Sequence, residues 1–315
     1  MRGWAALAAW LACACAGMPV TRVLDGPPGV DGTLELADGQ IAVSPAGGPL
    51  GVFLSLFPES FHPYVHGGVV AVERDGAVVY HAMGVPRPHL EGPPTDATGG
   101  GVFRTPLADY VAMQGTVHLF QPPPGVDGER VAAFARARYR AGTPFDPYFD
   151  STDRARLYCT EFVAAALEAG GGGPYPVSPN RRNRSLAVVR EWLKVDARGA
   201  IQADTLVAGA RPLATLSARD SAPQARLRRA WTAELHRRFG ADQRIGYLFE
   251  WTGIRLRFRP DVLAFRERAL ALADAAPPPD QAAADAAVRA LADDLFGPLP
   301  EAPRVAAAGP RCPSC

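Results

Sequence analysis

Two short runs rich in β-branched and aromatic residues, Val69–Val72 and Ala77–Tyr80, flank Arg74-Asp75-Gly76. Asp-Gly between such runs is a hairpin signal, because glycine accepts the positive φ that a tight turn needs. A hairpin here imposes antiparallel pairing on the chain's first half. Gln40–Ser44 and Thr116–Phe120 read as further strands. Helical periodicity lies in separate segments. In Gly128–Tyr139, Val131, Phe134, Ala135 and Arg138 share one side. From Thr160 onward, Phe162, Val163, Ala166 and Leu167 share a face until Gly170–Gly173 ends the helix. Leu186–Leu193 reads as another short helix, and the apolar Gly51–Phe57 as a cover over a site. Hairpin strands with separate helices, rather than βαβ alternation, predict an α+β fold.

With 315 residues, 48% hydrophobic and 21% charged, the chain reads as soluble and globular, with one large domain or two modest ones. A net charge of +1 argues against a nucleic-acid partner. The first 17 residues read as an export signal: Arg2, then apolar Trp4 to Ala12, then small residues around Cys13 and Cys15. A lipoprotein signal is the sharper reading, with Cys13 or Cys15 lipidated and the protein periplasmic or anchored to the outer membrane. Trp10 stands where leucine is usual in a lipobox before Cys13. Cys159 is left without an obvious partner in the folded body, which flags it as a reactive thiol in an oxidising compartment. The terminal Cys312-Pro313-Ser314-Cys315 reads as a local disulfide or plain thiols rather than a zinc site, because no second ligand pair accompanies it.

Beyond about residue 205 the composition shifts toward Ala and Arg. Leu227, Trp231, Leu235 and Phe239 recur every four residues, the stripe of an amphipathic helix. Arg226, Arg228, Arg229, Arg237 and Arg238 then form a solvated basic face, or a contact for anionic lipid or wall polymer. Pro277-Pro278-Pro279 reads as a linker, followed by a helix over residues 281–295 and a tail.

A thiol is a useful nucleophile as thiolate, and a helix N-terminus and a nearby imidazolium both favour that form. Cys159 stands at the start of a helical pattern. Six histidines compete for the base: His62, His66, His81, His89, His118 and His236. His66 is preferred because it opens a strand and is followed by two glycines, which allow close approach. His62 precedes a proline and is placed at the site's edge. His81 ends the partner strand and is the candidate to orient His66. His236 falls on the amphipathic helix. The plainer readings stand beside these: a buried Cys159 as a small hydrophobe, Thr160 and Glu161 as helix-capping residues, and Asp146, Asp150 and Asp153 as turn formers rather than a metal loop.

His66-Gly67-Gly68-Val69-Val70, Tyr80-His81-Ala82, Gly142-Thr143-Pro144-Phe145-Asp146 and Tyr158-Cys159-Thr160-Glu161-Phe162-Val163, in that order, resemble the YiiX/YaeF-like branch of the permuted NlpC/P60 papain-like enzymes, over roughly residues 36–195. In ordinary papain-like enzymes the cysteine precedes the histidine; here it follows. The resemblance implies a circularly permuted papain-like α+β fold with an antiparallel sheet and cysteine hydrolase chemistry without a metal or organic cofactor. It implies Cys159 as nucleophile, His66 as base, and Tyr158 and Glu161 as site-shaping residues. Where that branch commonly has an acidic third residue, His81 stands here. Amide or (thio)ester bonds of cell-wall peptides or acyl-lipids are the expected substrates. Two rivals remain: a non-catalytic lipid- or wall-binding envelope protein, and an acyltransferase resembling lecithin:retinol acyltransferase.

The expected organisation is a signal over 1–17, a hydrolase domain over 36–204, a helical extension over 205–275, and a linker, helix and tail over 276–315. The expected hairpin raises one difficulty. A two-residue turn at Asp75-Gly76 sets His81 opposite Val70, and Val70 lies four residues, roughly 13 Å, from His66.

Overall fold

The computed structural model describes residues 22–25, 34–84, 100–193, 198–242, 244–252 and 255–299. The signal-like segment with Cys13 and Cys15, His89, and the Cys312/Cys315 pair lie outside these.

The fold is α+β. Its centre is a seven-stranded sheet in the order β1-β9-β6-β2-β3-β4-β5, antiparallel throughout. The strands are β1 (Arg22–Asp25), β2 (Ile41–Ser44), β3 (His66–Glu73), β4 (Gly76–Gly84), β5 (Gly100–Pro106), β6 (Thr116–Phe120) and β9 (Pro212–Ser217). Alternation along each strand sorts side chains between two cores. On one face, Val69, Ala71, Val78, Tyr80 and Ala82 pack with α3 (Gly128–Arg140) and α4 (Cys159–Ala169). On the other, Val70 and Val79 pack with Tyr110 and Val111 of α2 (Leu107–Gln114). Asp127 caps α3 through its carboxylate, which accepts from the amides of Glu129 and Arg130.

The hairpin forms, but its turn is one residue earlier than expected. Glu73 pairs with Gly76, so Arg74 and Asp75 make the turn, and Gly76 takes φ +117° just after it. In a hairpin the turn fixes the register. Moving it by one residue moves every partner by two, which sets His81 opposite Gly68 rather than Val70.

The boundary expected at 204/205 falls before the last strand to join the sheet. β9 enters the sheet beside β6, so the sheet's core extends to residue 217. Beyond it come α7 (Ala222–Asp242), a β10–β11 hairpin (Phe249–Thr252, Arg255–Phe258), α8 (Pro260–Ala275) and α9 (Gln281–Phe296). Their apolar faces join α1 (Gly48–Ser55) in a separate core containing Leu227, Trp231, Leu235 and Phe239. The helix expected at 281–295 is α9, and it packs on α7 rather than standing apart.

Of the arginines of α7, Arg229 is exposed, while the other four are drawn into the packing. Arg238 is 1% exposed and bonds Glu234, Asp293 and the Gly297 carbonyl. Arg228 pairs with Asp220, Arg237 with Glu234, and Arg226 donates to the Pro278 carbonyl. Arg226, Arg228 and Arg238 thus join α7 to neighbouring segments, and Arg237 pairs within the helix. Among the described residues, no helix is long and apolar enough to cross a membrane.

Candidate active site

α4 begins at Cys159 because Tyr158 is extended, with ψ 169°, and the chain turns helical immediately after it. No side chain caps this end. Thr160, expected as a capping residue, donates its hydroxyl to the Ile201 carbonyl at 2.6 Å instead. That bond ties the helix start to β8 (Ala200–Ile201). Residues 159–167 are all buried, so the helix is held on every side. Gly67 allows the approach of strand to helix: a Cβ there would sit 3.3 Å from Val163 Cγ2.

His66 is the first residue of β3. Cys159 reaches the same strand end, with its Sγ 3.7 Å from the carbonyl of Val65. Both residues line one cleft of about 520 Å³. α1 covers part of it with Leu50, Gly51 and Leu54, and Gly199–Ala203 forms another wall.

His66 Nε2 lies 3.3 Å from His81 Nδ1. This contact runs diagonally across the hairpin, because His81 faces Gly68 and His66 is two residues further along the same face. Gly68 makes the diagonal open: a Cβ there would lie 2.5 Å from Val79 Cγ1 and 3.1 Å from His81 Cβ. His81 Nε2 in turn lies 3.0 Å from Thr105 Oγ1 on β5. Tyr110 closes the seam from α2, with its ring centroid 6.1 Å from that of His66 and 5.0 Å from that of His81.

The same distances accommodate two tautomer chains. In the one that frees a base, His66 Nε2–H donates to His81 Nδ1 and His81 Nε2–H donates to Thr105 Oγ1. His66 Nδ1 is then the nitrogen whose lone pair can serve a thiol. Burial, then the neighbouring His81, lowers His66 to about 3; burial lowers His81 to about 4. Burial pushes the Cys159 thiol up to about 11, against the backbone N–H groups of Thr160, Gly67 and Cys159 itself. At neutral pH the resting groups are therefore thiol and neutral imidazoles, not an ion pair.

The other expected residues are placed as follows. Tyr158 lies behind the cleft wall: its hydroxyl accepts from the Ile201 amide at 3.1 Å and sits 2.7 Å from Ser151 Oγ. Glu161 is buried and does not line the cleft. Its carboxyl group finds no hydrogen-bond partner among the described residues, and burial raises it to about 8. Glu161, expected as a site-shaping residue, thus lies two residues beyond Cys159 on α4, buried behind the cleft lining. His62 lines the cleft, with Nδ1 2.8 and 3.0 Å from the two carboxylate oxygens of Asp204. His118 bonds Thr215, and His236 is buried against Arg181 and the Pro58 carbonyl. Asp146, Asp150 and Asp153 accept backbone amides two to four residues on, as turn formers do. Among the described residues, no three His, Cys, Asp or Glu side chains gather as a metal-ligand set.

Sequence reasoning missed Thr105, Tyr110 and Asp204. Thr105 ends the run Val102-Phe103-Arg104-Thr105, whose β character was the available signal. The other two carry no local signature of a site.

No family model matches the chain, and no curated protein matches it. A similar solved structure is that of the metalloprotein YiiX from Escherichia coli O157:H7. It is 18% identical, with a TM-score of 0.42, over 59% of this chain and 98% of that one.

Proposed function

We propose that this chain is a thiol hydrolase on a circularly permuted papain-like arrangement, cleaving an amide or (thio)ester with Cys159 as nucleophile and His66 as base. The observation that carries the reading is the His66–His81 hydrogen bond, which orients an imidazole in the cleft that the Cys159 sulfur shares. Because the resting thiol is neutral, the proton passes to His66 Nδ1 as sulfur attacks the acyl carbon. The Nε2–H bond to His81 steadies the imidazolium that forms. Backbone N–H groups at the α4 N-terminus are positioned to stabilise the oxyanion. Collapse of the tetrahedral intermediate breaks the bond to the leaving group, which takes the proton back from His66.

The cleft walls favour an acyl chain over a wall peptide. Leu54, Phe57, Val65, Phe145 and Phe149 line them, and the exposed Leu50, Met83 and Met113 stand at the margin. Apolar surface of this kind gains most from covering hydrocarbon.

The test is acyl transfer from an activated ester to the protein. Wild type acquires one acyl group on Cys159, read by intact-mass spectrometry. Cys159→Ala acquires none, and His66→Asn acylates about 10³-fold more slowly. Equal acylation and turnover by Cys159→Ala would overturn the proposal.

A further inference from the structure

The cleft contains a second imidazole whose environment differs from that of His66. His62 and Asp204 are 142 residues apart, yet the ring nitrogen Nδ1 meets both carboxylate oxygens, at 2.8 and 3.0 Å. Asp204 lies in the first turn of α6 (Ala203–Leu206), directly after the Gly199–Ala203 wall. The His62 side chain is 15% exposed and lines the cleft together with Cys159. A carboxylate at Nδ1 fixes the tautomer with the proton on that nitrogen, so Nε2 presents a lone pair. Nε2 meets no partner among the described residues. The carboxylate also compensates the positive charge an imidazole gains on taking a proton. Among the described residues, the partner of His66 is an imidazole rather than a carboxylate.

We propose that His62, held by Asp204, is the base for the second half-reaction of the thiol chemistry, acting on the incoming acceptor. This inference rests on the thiol reading above. In that step a water in the cleft gives its proton to His62 Nε2 while its oxygen bonds to the acyl carbon of the Cys159 thioester. The tetrahedral intermediate collapses with cleavage of the C–S bond. The thiolate recovers a proton from the His62 imidazolium, leaving a carboxylic acid and the free thiol. An alcohol or amine acceptor follows the same steps and yields an ester or amide.

The experiment separates the two half-reactions in the full chain, with p-nitrophenyl butyrate as donor. Acylation is followed as p-nitrophenol release in a single turnover. Deacylation is followed as decay of the butyryl adduct in intact-mass spectra after excess ester is removed. His62→Gln still acylates, and its ratio of deacylation to acylation rate falls about 10²-fold below the parent's. Asp204→Asn still accepts the Nδ1–H bond but loses the charge, and its adduct decays about 10-fold more slowly. A purely structural clamp predicts instead that Asp204→Asn behaves as the parent. The inference is overturned if the His62→Gln adduct decays at the parent rate, or if acylation and deacylation fall together. A parent that never acquires the butyryl group on Cys159 overturns the thiol reading, and this one with it.

Discussion

The histidine seam and the C-terminal helical layer both bury polar side chains, and they do so in opposite ways. Arg238 is as buried as any core residue, but Glu234 and Asp293 meet it at 2.7 and 2.6 Å. Its charge is answered where it stands. In the seam, His66, His81 and Thr105 link through single hydrogen bonds, and among the described residues no carboxylate bonds to either ring. Burial there depresses both imidazoles and raises the thiol. A buried polar group with its charge compensated joins elements of a fold. One left uncompensated keeps a latent demand that chemistry can use.

The largest effect that would break this contrast lies in the helical layer. Arg238→Ala removes the buried cation that ties Glu234 to Asp293 and the Gly297 carbonyl and leaves Glu234 to Arg237 alone, at a cost of about 3 kcal/mol in urea unfolding. Acylation of Cys159 per folded molecule stays at the parent rate. A change below about 1 kcal/mol would mean that the cluster is not holding α7 to α9.

The next effect belongs to the seam and is set by pH. His66 and His81 have folded values of about 3 and 4, below the ordinary 6.5. The unfolded chain therefore binds their protons first. Their contribution is fully present above about pH 6.5, falls as pH drops below that value, and levels off once pH passes through the folded values. Each contributes a slope of up to about 1.4 kcal/mol per pH unit in that window. Urea midpoints measured from pH 7 to pH 4 should fall, and a His66→Asn, His81→Asn double variant should show a shallower fall. An equally steep fall in the double variant would place the acid sensitivity elsewhere.

The smallest effect sharpens the contrast within the seam. Thr105→Val keeps the side-chain shape and removes the partner of His81 Nε2. Acylation should slow about 10-fold. The imidazole ¹⁵N shifts of His81 should report a changed tautomer balance, which mere repacking would leave in place. Unchanged shifts and rates would remove Thr105 from the seam.

Cys159 and His66 were legible because each sits at a local transition: a helix start after an irregular segment, and a strand start before two glycines. The strands β2, β3, β4 and β6 were legible by pattern, as was the stripe of α7. His81 was legible as a residue but not as a partner of His66, since the pairing turned on which two residues make the turn. Arg238 looked solvent-facing because its anions come from segments as distant as Asp293. β9 was hidden in a stretch read as helical extension, since strand pairing with β6 is not written within six residues.

The sequence by itself determined the kinds of elements, the hairpin, and which thiol and imidazole open a helix and a strand, since these depend on neighbours within a turn or two. Tertiary structure decided that His66 meets His81, that Thr105 and Tyr110 complete the seam, and that Asp204 holds His62. Those outcomes depend on register, on burial and on residues brought together from as far as 142 positions away. Register and burial arise only when the sheet and its covering helices pack together, and it is that packing that sets the protonation of the groups in the cleft.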